Sequence, residues 1–396
     1  MPVLWLAVLV ARAGALSGAR ARSAAPRTRA AASPVDRDAS AVDRRGALPV
    51  DRRGALRGLA AAAALPLLLP RDSSAALRGD DGSTIPQAVL LLPEGPPRTV
   101  VVTGANSGVG LAGAKLLASR GHRVVCACRT QAKADLAAAA CGFGAEAAVC
   151  DLADLASVRA FAASVQKVDT LVLNAGLAPN AADKEPKRTK DGFELTIGTN
   201  HLGHFLLYSL LEKQLQAPGK RLVVTASPVH DPKSGGGSVG STAALGDLRG
   251  LQTPNFDMVD GGAYDADKAY KDSKLCNMMF TAEASRRLSA NGGTANAFSP
   301  GLIASPDGFF RYQNPVFARI FDTISRVAGV AETSEFGGAA LAFLAADNSF
   351  DGVTGGWFDT EPPGKHQLLS HSPSAEAQNV EKQKELWKLS AALVHA

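Results

Sequence analysis

The feature that most constrains the fold of this chain is a glycine-rich turn between a short apolar run and a helix-forming run. Residues 98–103 (RTVVVT) predict a buried strand, and LAGAKLLASR, which begins at residue 111, predicts a helix. Glycines at such a turn let the backbone approach a pyrophosphate, and the helix N-terminus supplies free N–H groups. A glycine-rich turn without a ligand is the alternative. The interpretation as a dinucleotide site assigns coenzyme contacts to Gly104, Asn106, Ser107, Gly108, Val109 and Gly110.

The end of the second strand indicates which dinucleotide binds. Residues 122–128 (HRVVCAC) end at Arg129, and Lys133 follows one helical turn later. An acidic residue at this distance from the glycines would bind a ribose 2′-hydroxyl, whereas a cation accommodates a 2′-phosphate. The sequence therefore predicts NADPH rather than NADH. A solvated pair of surface cations is the alternative.

Later strands of the series also end in residues suited to a coenzyme. Such strands alternate with helical runs, which is the pattern of a parallel sheet covered by helices on both faces. The fold class predicted is α/β: a single doubly wound Rossmann-type domain with about seven parallel strands and an active-site insertion. The strands and the residues that follow them are 146–150 with Asp151 and Leu152, 169–173 with Asn174, Ala175 and Gly176, 221–225 with Ser227, and 353–358 as the seventh strand.

Tyr270 and Lys274 are candidates for the chemistry. Residues four positions apart on a helix point from the same face. A phenol with a pKa near 10 is a poor acid and a worse base at neutral pH, and an ammonium beside it favours the phenolate. The Tyr-x-x-x-Lys pattern occurs by chance on many helices, so it gains its meaning from the dinucleotide site upstream.

The order and spacing of these motifs resemble the short-chain dehydrogenase/reductase family. The resemblance covers residues 98–358 and implies that Ser227, Asn200, Tyr270 and Lys274 form a catalytic tetrad. It also implies that Lys274 holds the nicotinamide ribose, that Asn200 fixes a water in a proton relay, and that Pro300 and Gly301 border the coenzyme. The matching segments are TGANSGVG (103–110), DL (151–152), NAG (174–176), Asn200, Ser227 and YKDSK (270–274).

One spacing departs from the ordinary family member. From Ser227 to Tyr270 the chain runs 43 positions, which leaves a surplus over residues 228–263. This surplus is rich in Gly and Asp and poor in apolar periodicity. It therefore predicts an excursion that covers the substrate rather than another core element. A tolerated surface insertion is the alternative.

A closer likeness concerns one branch of the family. Residues 184–207, 245–251, 260–278 and 380–394, together with the insertion, resemble light-dependent protochlorophyllide oxidoreductases. The resemblance implies that NADPH and protochlorophyllide lie face to face, and that light drives hydride delivery to the C17=C18 double bond, giving chlorophyllide. Two alternatives are a dark NADP-dependent dehydrogenase of the retinol or steroid type and a non-catalytic copy that binds pigment and NADPH.

The turn after the sixth strand differs from that branch. The branch usually has a cysteine after Pro-Gly, near the pigment, whereas this chain has Leu302 after Pro300 and Gly301. A leucine cannot transfer a proton. Either Tyr270 or ordered water supplies the proton, or the chain is a divergent copy with altered efficiency.

Cysteine and histidine usage argues against a metal site. The five cysteines are Cys126, Cys128, Cys141, Cys150 and Cys276, an odd number without a Cys-x-x-Cys pair, so reduced, packed thiols are expected. His201 and His204 are close in sequence but lack a third ligand.

Residues 1–95 differ in composition from the rest of the chain. An apolar start, an Arg-, Ala- and Ser-rich stretch and a second short apolar run predict a multipart, disordered plastid-targeting presequence. Residues 96–396 then form the NADP-binding catalytic domain, with a lid at 302–330 and a C-terminal helix at 376–394. The net charge of +5 owes much to the leader, so nucleic acid is not predicted as a partner. Peripheral contact with the thylakoid membrane and a homo-oligomer are left open.

Overall fold

The computed structural model describes residues 84–86, 94–142, 144–303, 323–325, 327–360 and 363–395. Almost all of the predicted presequence and most of the predicted lid at 302–330 lie outside the described residues.

The described chain forms one nine-stranded sheet in the order β1-β9-β8-β7-β6-β5-β2-β3-β4. Every pairing from β4 through to β8 is parallel, which confirms the prediction of about seven parallel strands. Two further strands, β9 and β1, add antiparallel to one edge and were not predicted. Because β1 lies at residues 84–86, the predicted disordered presequence at 1–95 extends too far. The strands are β1 Thr84–Pro86, β2 Thr99–Thr103, β3 Arg123–Cys128, β4 Ala145–Val149, β5 Thr170–Leu173, β6 Arg221–Thr225, β7 Thr294–Phe298, β8 Trp357–Asp359 and β9 Gln367–Ser370.

The seventh parallel strand begins later than the sequence predicts. Residues 353–358 were expected to be extended, but Gly352 and Gly355 both have positive φ, at 74° and 75°, so the chain turns there. The ladder with β7 starts only at Trp357.

Helices lie on both faces of the sheet. They are α1 Gly108–Ser119, α2 Gln131–Cys141, α3 Leu155–Ser164, α4 Leu195–Ile197, α5 Gly203–Leu215, α6 Ala266–Ser289, α7 Ser334–Ala346 and α8 Val380–Val394. A π-helical turn, Gly198–Leu202, joins α4 to α5. The predicted C-terminal helix at 376–394 is therefore α8, which begins four residues later. None of the helices within the described part of the chain is long and apolar enough to cross a membrane.

Two helices approach each other through glycines and thereby fix the glycine-rich turn. A Cβ on Gly113 of α1 would lie 2.8 Å from Leu341 Cδ2, and one on Gly338 of α7 would lie 2.6 Å from the Gly113 nitrogen. Only glycine allows backbones to pack this closely. Helix α7 therefore braces the first turns of α1.

The insertion is partly a core element, which corrects the sequence-based expectation. Residues 243–259 bury seven apolar side chains, most of them in the same core cluster as α5, α6 and α8. The pattern has no helical or strand period because the segment is irregular, yet its apolar residues converge in space. They are Ala243, Leu245, Leu248, Leu251, Phe256, Met258 and Val259.

Candidate active site

The glycine-rich turn presents unpaired N–H groups at the start of α1. Gly104 and Gly108 have positive φ, and a Cβ on Gly110 would lie 2.4 Å from the Gly104 carbonyl oxygen. The side chain of Ser107, the residue before α1, makes no capping hydrogen bond, and the first turn holds no acidic residue. The first N–H groups of a helix have no partner within it and favour an anion. The turn therefore fits the pyrophosphate of a dinucleotide.

Arg129 and Lys133 lie where a 2′-phosphate would need them. Arg129 follows β3 directly and is exposed, while Lys133 lies in the first turn of α2 and is half-buried. Neither side chain makes an ion pair or a hydrogen bond among the described residues. Both cations are thus available to a ligand. Asp151 lies at the neighbouring strand end, where its backbone N–H donates to Ser157 Oγ over 3.0 Å.

Thr103, the first residue of the TGANSGVG segment, was given no role of its own from the sequence, yet it organises the next strand end. Its Oγ1 accepts the backbone N–H groups of Asn174 and Ala175 over 2.9 and 3.0 Å. It also lies 2.9 Å from His204 Nε2. The other ring nitrogen, Nδ1, lies 3.1 Å from the Asn200 carbonyl oxygen. Burial lowers the pKa of His204 to about 4, so the ring is neutral.

These contacts fix the tautomer of His204. Because a carbonyl only accepts, Nδ1 must carry the proton, and Nε2 then accepts from the Thr103 hydroxyl. A hydrogen-bonded chain therefore runs from the Asn174–Ala175 turn through Thr103 and His204 to Asn200. The histidine was visible in the sequence, but nothing there indicated that it joins the end of β2 to the π-helical turn.

Asn200 is fully buried in the π-helical turn and bridges two elements. Its side chain accepts from Leu177 N and donates to Leu177 O, each over 2.9 Å, and donates to Ser273 Oγ over 3.0 Å. Ser273 in turn donates to the Tyr270 carbonyl oxygen over 2.6 Å. π-Helical turns occur frequently at functional sites. The contacts seen are positioning contacts; the water-binding role inferred from the family resemblance stays a prediction.

Tyr270, Ser227 and Lys274 come together at the carboxyl ends of the strands. The Ser227 hydroxyl is hydrogen-bonded to the Tyr270 phenol, although 43 positions separate them. Lys274 Nζ donates to the Thr225 carbonyl oxygen over 3.2 Å and lies 5.6 Å from the centre of the Tyr270 ring. The cluster brings a hydroxyl, a phenol and an ammonium to the edge where the glycine-rich turn lies.

Burial controls the protonation of this cluster. It raises the pKa of Tyr270 above its usual range, and the Ser227 hydrogen bond offsets only part of that. It also lowers the pKa of Lys274 to about 8. The expected shift of the phenol towards phenolate is therefore outweighed by desolvation. At neutral pH the phenol keeps its proton and the lysine stays mostly charged.

A neighbouring side of α6 holds the insertion. Lys271, whose side chain is 1% exposed, donates to the carbonyl oxygens of Val239 and Ser241 over 2.5 and 2.6 Å. Asp272 is fully buried, accepts from Ala244 N over 3.0 Å and pairs with Lys268. The excursion is thus fastened directly to the helix that carries Tyr270.

A buried carboxylate that the sequence did not suggest lies beside the Pro300–Leu302 turn. Glu332 accepts from Gly364 N over 2.7 Å and pairs with the His366 ring, and its own N–H donates to Leu302 O over 2.9 Å. A Cβ on Gly301 would lie 2.5 Å from Glu332 Cγ. The turn is therefore held from behind by Glu332. No cluster of three metal-ligating side chains occurs among the residues described.

Comparisons with known proteins agree with this geometry. A family model described as short chain dehydrogenase matches residues 98–243. Protochlorophyllide reductase B, chloroplastic, of Oryza sativa subsp. japonica is 41% identical over 75% of this chain and 77% of its own length. Protochlorophyllide reductase, chloroplastic, of Pisum sativum is 40% identical over 74% and 77%.

Solved structures show the same fold. The crystal structure of an uncharacterised protein from Mycobacterium paratuberculosis is 31% identical, with a TM-score of 0.58 over 79% of this chain and 98% of its own. A short chain dehydrogenase/reductase family protein is 26% identical, with a TM-score of 0.50 over 68% and 97%. Since the two plant relatives are this similar over about three quarters of both chains, and the glycine turn and the Ser–Tyr–Lys cluster lie at one sheet edge, the chain belongs to the protochlorophyllide reductase family of short-chain dehydrogenases.

Proposed function

We propose that this protein catalyses the light-driven reduction of the C17=C18 double bond of protochlorophyllide to chlorophyllide, with NADPH as hydride donor. The proposal rests on the Ser227–Tyr270 hydrogen bond. This bond joins the two ends of the insertion, and Lys271 of α6 binds the backbone of the insertion. The rice and pea relatives, which are named protochlorophyllide reductases, support the same reaction.

The residues present fit a reduced nicotinamide dinucleotide. The N–H groups at the start of α1 would hold its pyrophosphate, and Lys274 would hold the nicotinamide ribose. When bound, the coenzyme supplies the hydride. The glycine turn, the Asn174–Gly176 turn and Pro300–Gly301 follow the carboxyl ends of β2, β5 and β7, where they would orient the ring and exclude water.

The choice of NADPH rests on Arg129 and Lys133. Hydrogen bonds to charged groups contribute roughly 1.5–3 kcal/mol each, so Arg129→Ala should raise the Kd for NADPH by roughly tenfold or more. The Kd for NADH should stay unchanged, because that coenzyme lacks the 2′-phosphate. Fluorescence titration with each coenzyme measures the two Kd values. An equal rise in Kd for NADPH and NADH would contradict the assignment of Arg129 to the 2′-phosphate.

Tyr270 is the proposed proton donor. Burial keeps the Tyr270 phenol protonated, so it can donate a proton to the carbon of the double bond that does not receive the hydride. The Ser227 hydroxyl and the Lys274 ammonium would stabilise the phenolate that remains. Leu302 cannot take part in proton transfer. Tyr270 therefore donates the proton, and the Pro300–Leu302 turn has a positioning role.

The decisive experiment uses light as the variable. The purified protein, NADPH and protochlorophyllide are mixed in darkness and then illuminated, and the red absorbance shift of chlorophyllide is recorded. Product only after illumination supports the proposal. Turnover of retinol- or steroid-type substrates in darkness would favour an ordinary dehydrogenase, and pigment binding without product would identify a non-catalytic copy.

The site of action proposed is the plastid, since both plant relatives are named chloroplastic. Because β1 (Thr84–Pro86) pairs with β9 in the sheet, a presequence that is removed on import would end before Thr84. N-terminal sequencing of the mature protein tests this, and retention of residues 1–60 would refute it.

Thylakoid contact and self-association are proposals as well. In α8, Val380 is exposed, whereas Leu386 is buried and Leu389 and Leu393 pack against the core. Co-flotation with thylakoid-lipid vesicles and analytical ultracentrifugation test the two proposals.

A further inference from the structure

Two of the five cysteines lie within reach of each other. Cys126 is in the middle of β3, and Cys141 is the last residue of α2; their sulfur atoms are 3.9 Å apart, and 15 positions separate them in the chain. Both are free thiols. We propose that Cys126 and Cys141 form a redox-active thiol pair that closes to an intramolecular disulfide when the protein meets a peroxide.

Cys141 is the member that reacts first. It is half-buried, whereas Cys126 is fully buried. The Cys126 S–H donates to Cys141 Sγ, and Lys115 of α1 adds a positive charge; together they lower the pKa of Cys141 despite some burial. The negative end of the α2 dipole acts in the opposite direction. Thiolates, not thiols, are the nucleophiles, so reactivity concentrates at Cys141.

Hydrogen peroxide is the only oxidant that formation of the Cys126–Cys141 disulfide requires. The Cys141 thiolate attacks one peroxide oxygen, the O–O bond breaks, and the departing hydroxide takes a proton and leaves as water. The sulfenic acid formed on Cys141 is then attacked by the Cys126 sulfur, which loses its proton, and the hydroxyl group leaves as a second water. The two thiols are oxidised and one peroxide is reduced.

Closure requires only a small movement. A disulfide needs the sulfurs about 2.0 Å apart, so they must approach by roughly 2 Å. Cys141 ends its helix, and Gly142, which follows, has a φ of 80°, so the chain there is not held by further helical turns.

The disulfide would fasten α2 to the sheet. The segment it closes contains both proposed coenzyme cations, Arg129 and Lys133. Cross-linking residues this far apart constrains the unfolded chain, and a midpoint of thermal unfolding raised by roughly 5 °C is expected. Dithiothreitol should reverse the rise.

Peptide mapping of the full chain tests the pair. Reduced protein is treated with hydrogen peroxide and the remaining thiols are alkylated. The chain is then cleaved with trypsin and with a protease that cuts after glutamate, including Glu146. Trypsin releases residues 124–129, with Cys126 and Cys128, and the cut at Glu146 separates Cys141 from Cys150. A linked species two hydrogens lighter than the two peptides, with fragment ions placing the bond on Cys126, is expected.

Variants keep the test decisive. Cys126→Ser should stop the reaction at a sulfenic acid on Cys141 that dimedone traps, and Cys150→Ser should leave the link intact. Loss of the thermal shift in Cys141→Ser is expected too. An alkylatable Cys141 after peroxide treatment, a bond from Cys128 to Cys150, or a link only between two chains would each overturn the proposal.

Discussion

Helix α6 has two faces that use the same kinds of residue for opposite purposes. On one face Tyr270 and Lys274 meet Ser227 and the Thr225 carbonyl, and Tyr270 stays half-buried. On the other face Lys271 and Asp272 are fully buried and bind the backbone of the insertion. Lys271 and Lys274 are only three positions apart. Helix α6 therefore holds both the proposed catalytic residues and the residues that bind the insertion.

The difference lies in what each lysine contacts. Lys271 is surrounded by two carbonyl oxygens and Asp267, so its charge is compensated by the protein. Within the described residues Lys274 Nζ donates to one carbonyl oxygen, and burial lowers its pKa to about 8. A poorly compensated buried charge is typical of a site that awaits a ligand. The comparison predicts that changes on one face alter turnover and that changes on the other alter stability.

The largest effect is expected for Tyr270→Phe. Removing the phenolic hydroxyl should lower product formation per flash about 10²- to 10⁴-fold, since a positioned acid contributes about that much. Single-turnover absorbance after a light pulse measures it. Tyr208→Phe is the matched control, because among the described residues the buried Tyr208 hydroxyl donates to Glu212, one turn further along α5. A fully active Tyr270→Phe would mean that the phenol is not the donor.

Lys271→Met should act on stability instead. It leaves two carbonyl oxygens and Asp267 without their cation, and breaking a buried pair costs about 3–5 kcal/mol of unfolding free energy. Urea unfolding measures the loss. Lys213→Met, on the exposed side of α5, should change stability by less than about 0.5 kcal/mol. Equal stability of the two variants would show that the second face does not hold the insertion.

The pH dependence should report Lys274. Its pKa of about 8 means that the cation is lost as pH rises through 8, so kcat/KM should fall about tenfold per pH unit above that. Because the folded state binds fewer protons here than the unfolded state, stability should rise with pH between about 8 and 10. In Lys274→Met the low residual rate should be flat over this range and the rise in stability absent. A wild-type rate that is constant to pH 10 would contradict the assignment.

The smallest effect is expected at Leu302. Leu302→Cys restores the residue usual in the branch and should leave turnover equal or faster, by less than about threefold, because Tyr270 already supplies the proton. Leu302→Ala serves as the control for loss of the side chain without gain of a thiol. A large acceleration in the cysteine variant alone would mean that proton supply limits this chain.

Much of the fold could be predicted because parallel strands are continuous apolar runs. Residues 221–225 were predicted without error, and β2, β3, β4 and β5 were placed within a residue at each end. The antiparallel strands β1 and β9 were missed, because strands of three and four residues are too short to show a period. The start of β8 was wrong because glycines turned the chain before it.

The candidate site divides in the same way. Gly104, Tyr270 and Lys274 belong to local motifs whose spacing is visible in the chain. Thr103, His204 and Glu332 were not predicted, because their roles come from partners about 30 to 100 positions away. The burial that keeps the Tyr270 phenol protonated also depends on residues distant in sequence.

Local sequence determined the strand–turn–helix units, the face shared by Tyr270 and Lys274 and the length of the insertion, because these depend on neighbouring residues and on helical geometry. Tertiary structure alone decided that the insertion packs into the core, that α6 holds it by Lys271 and Asp272, and that desolvation outweighs the ammonium in setting the pKa of Tyr270. Burial and hydrogen-bond partners arise only when distant segments meet, and no local pattern encodes them.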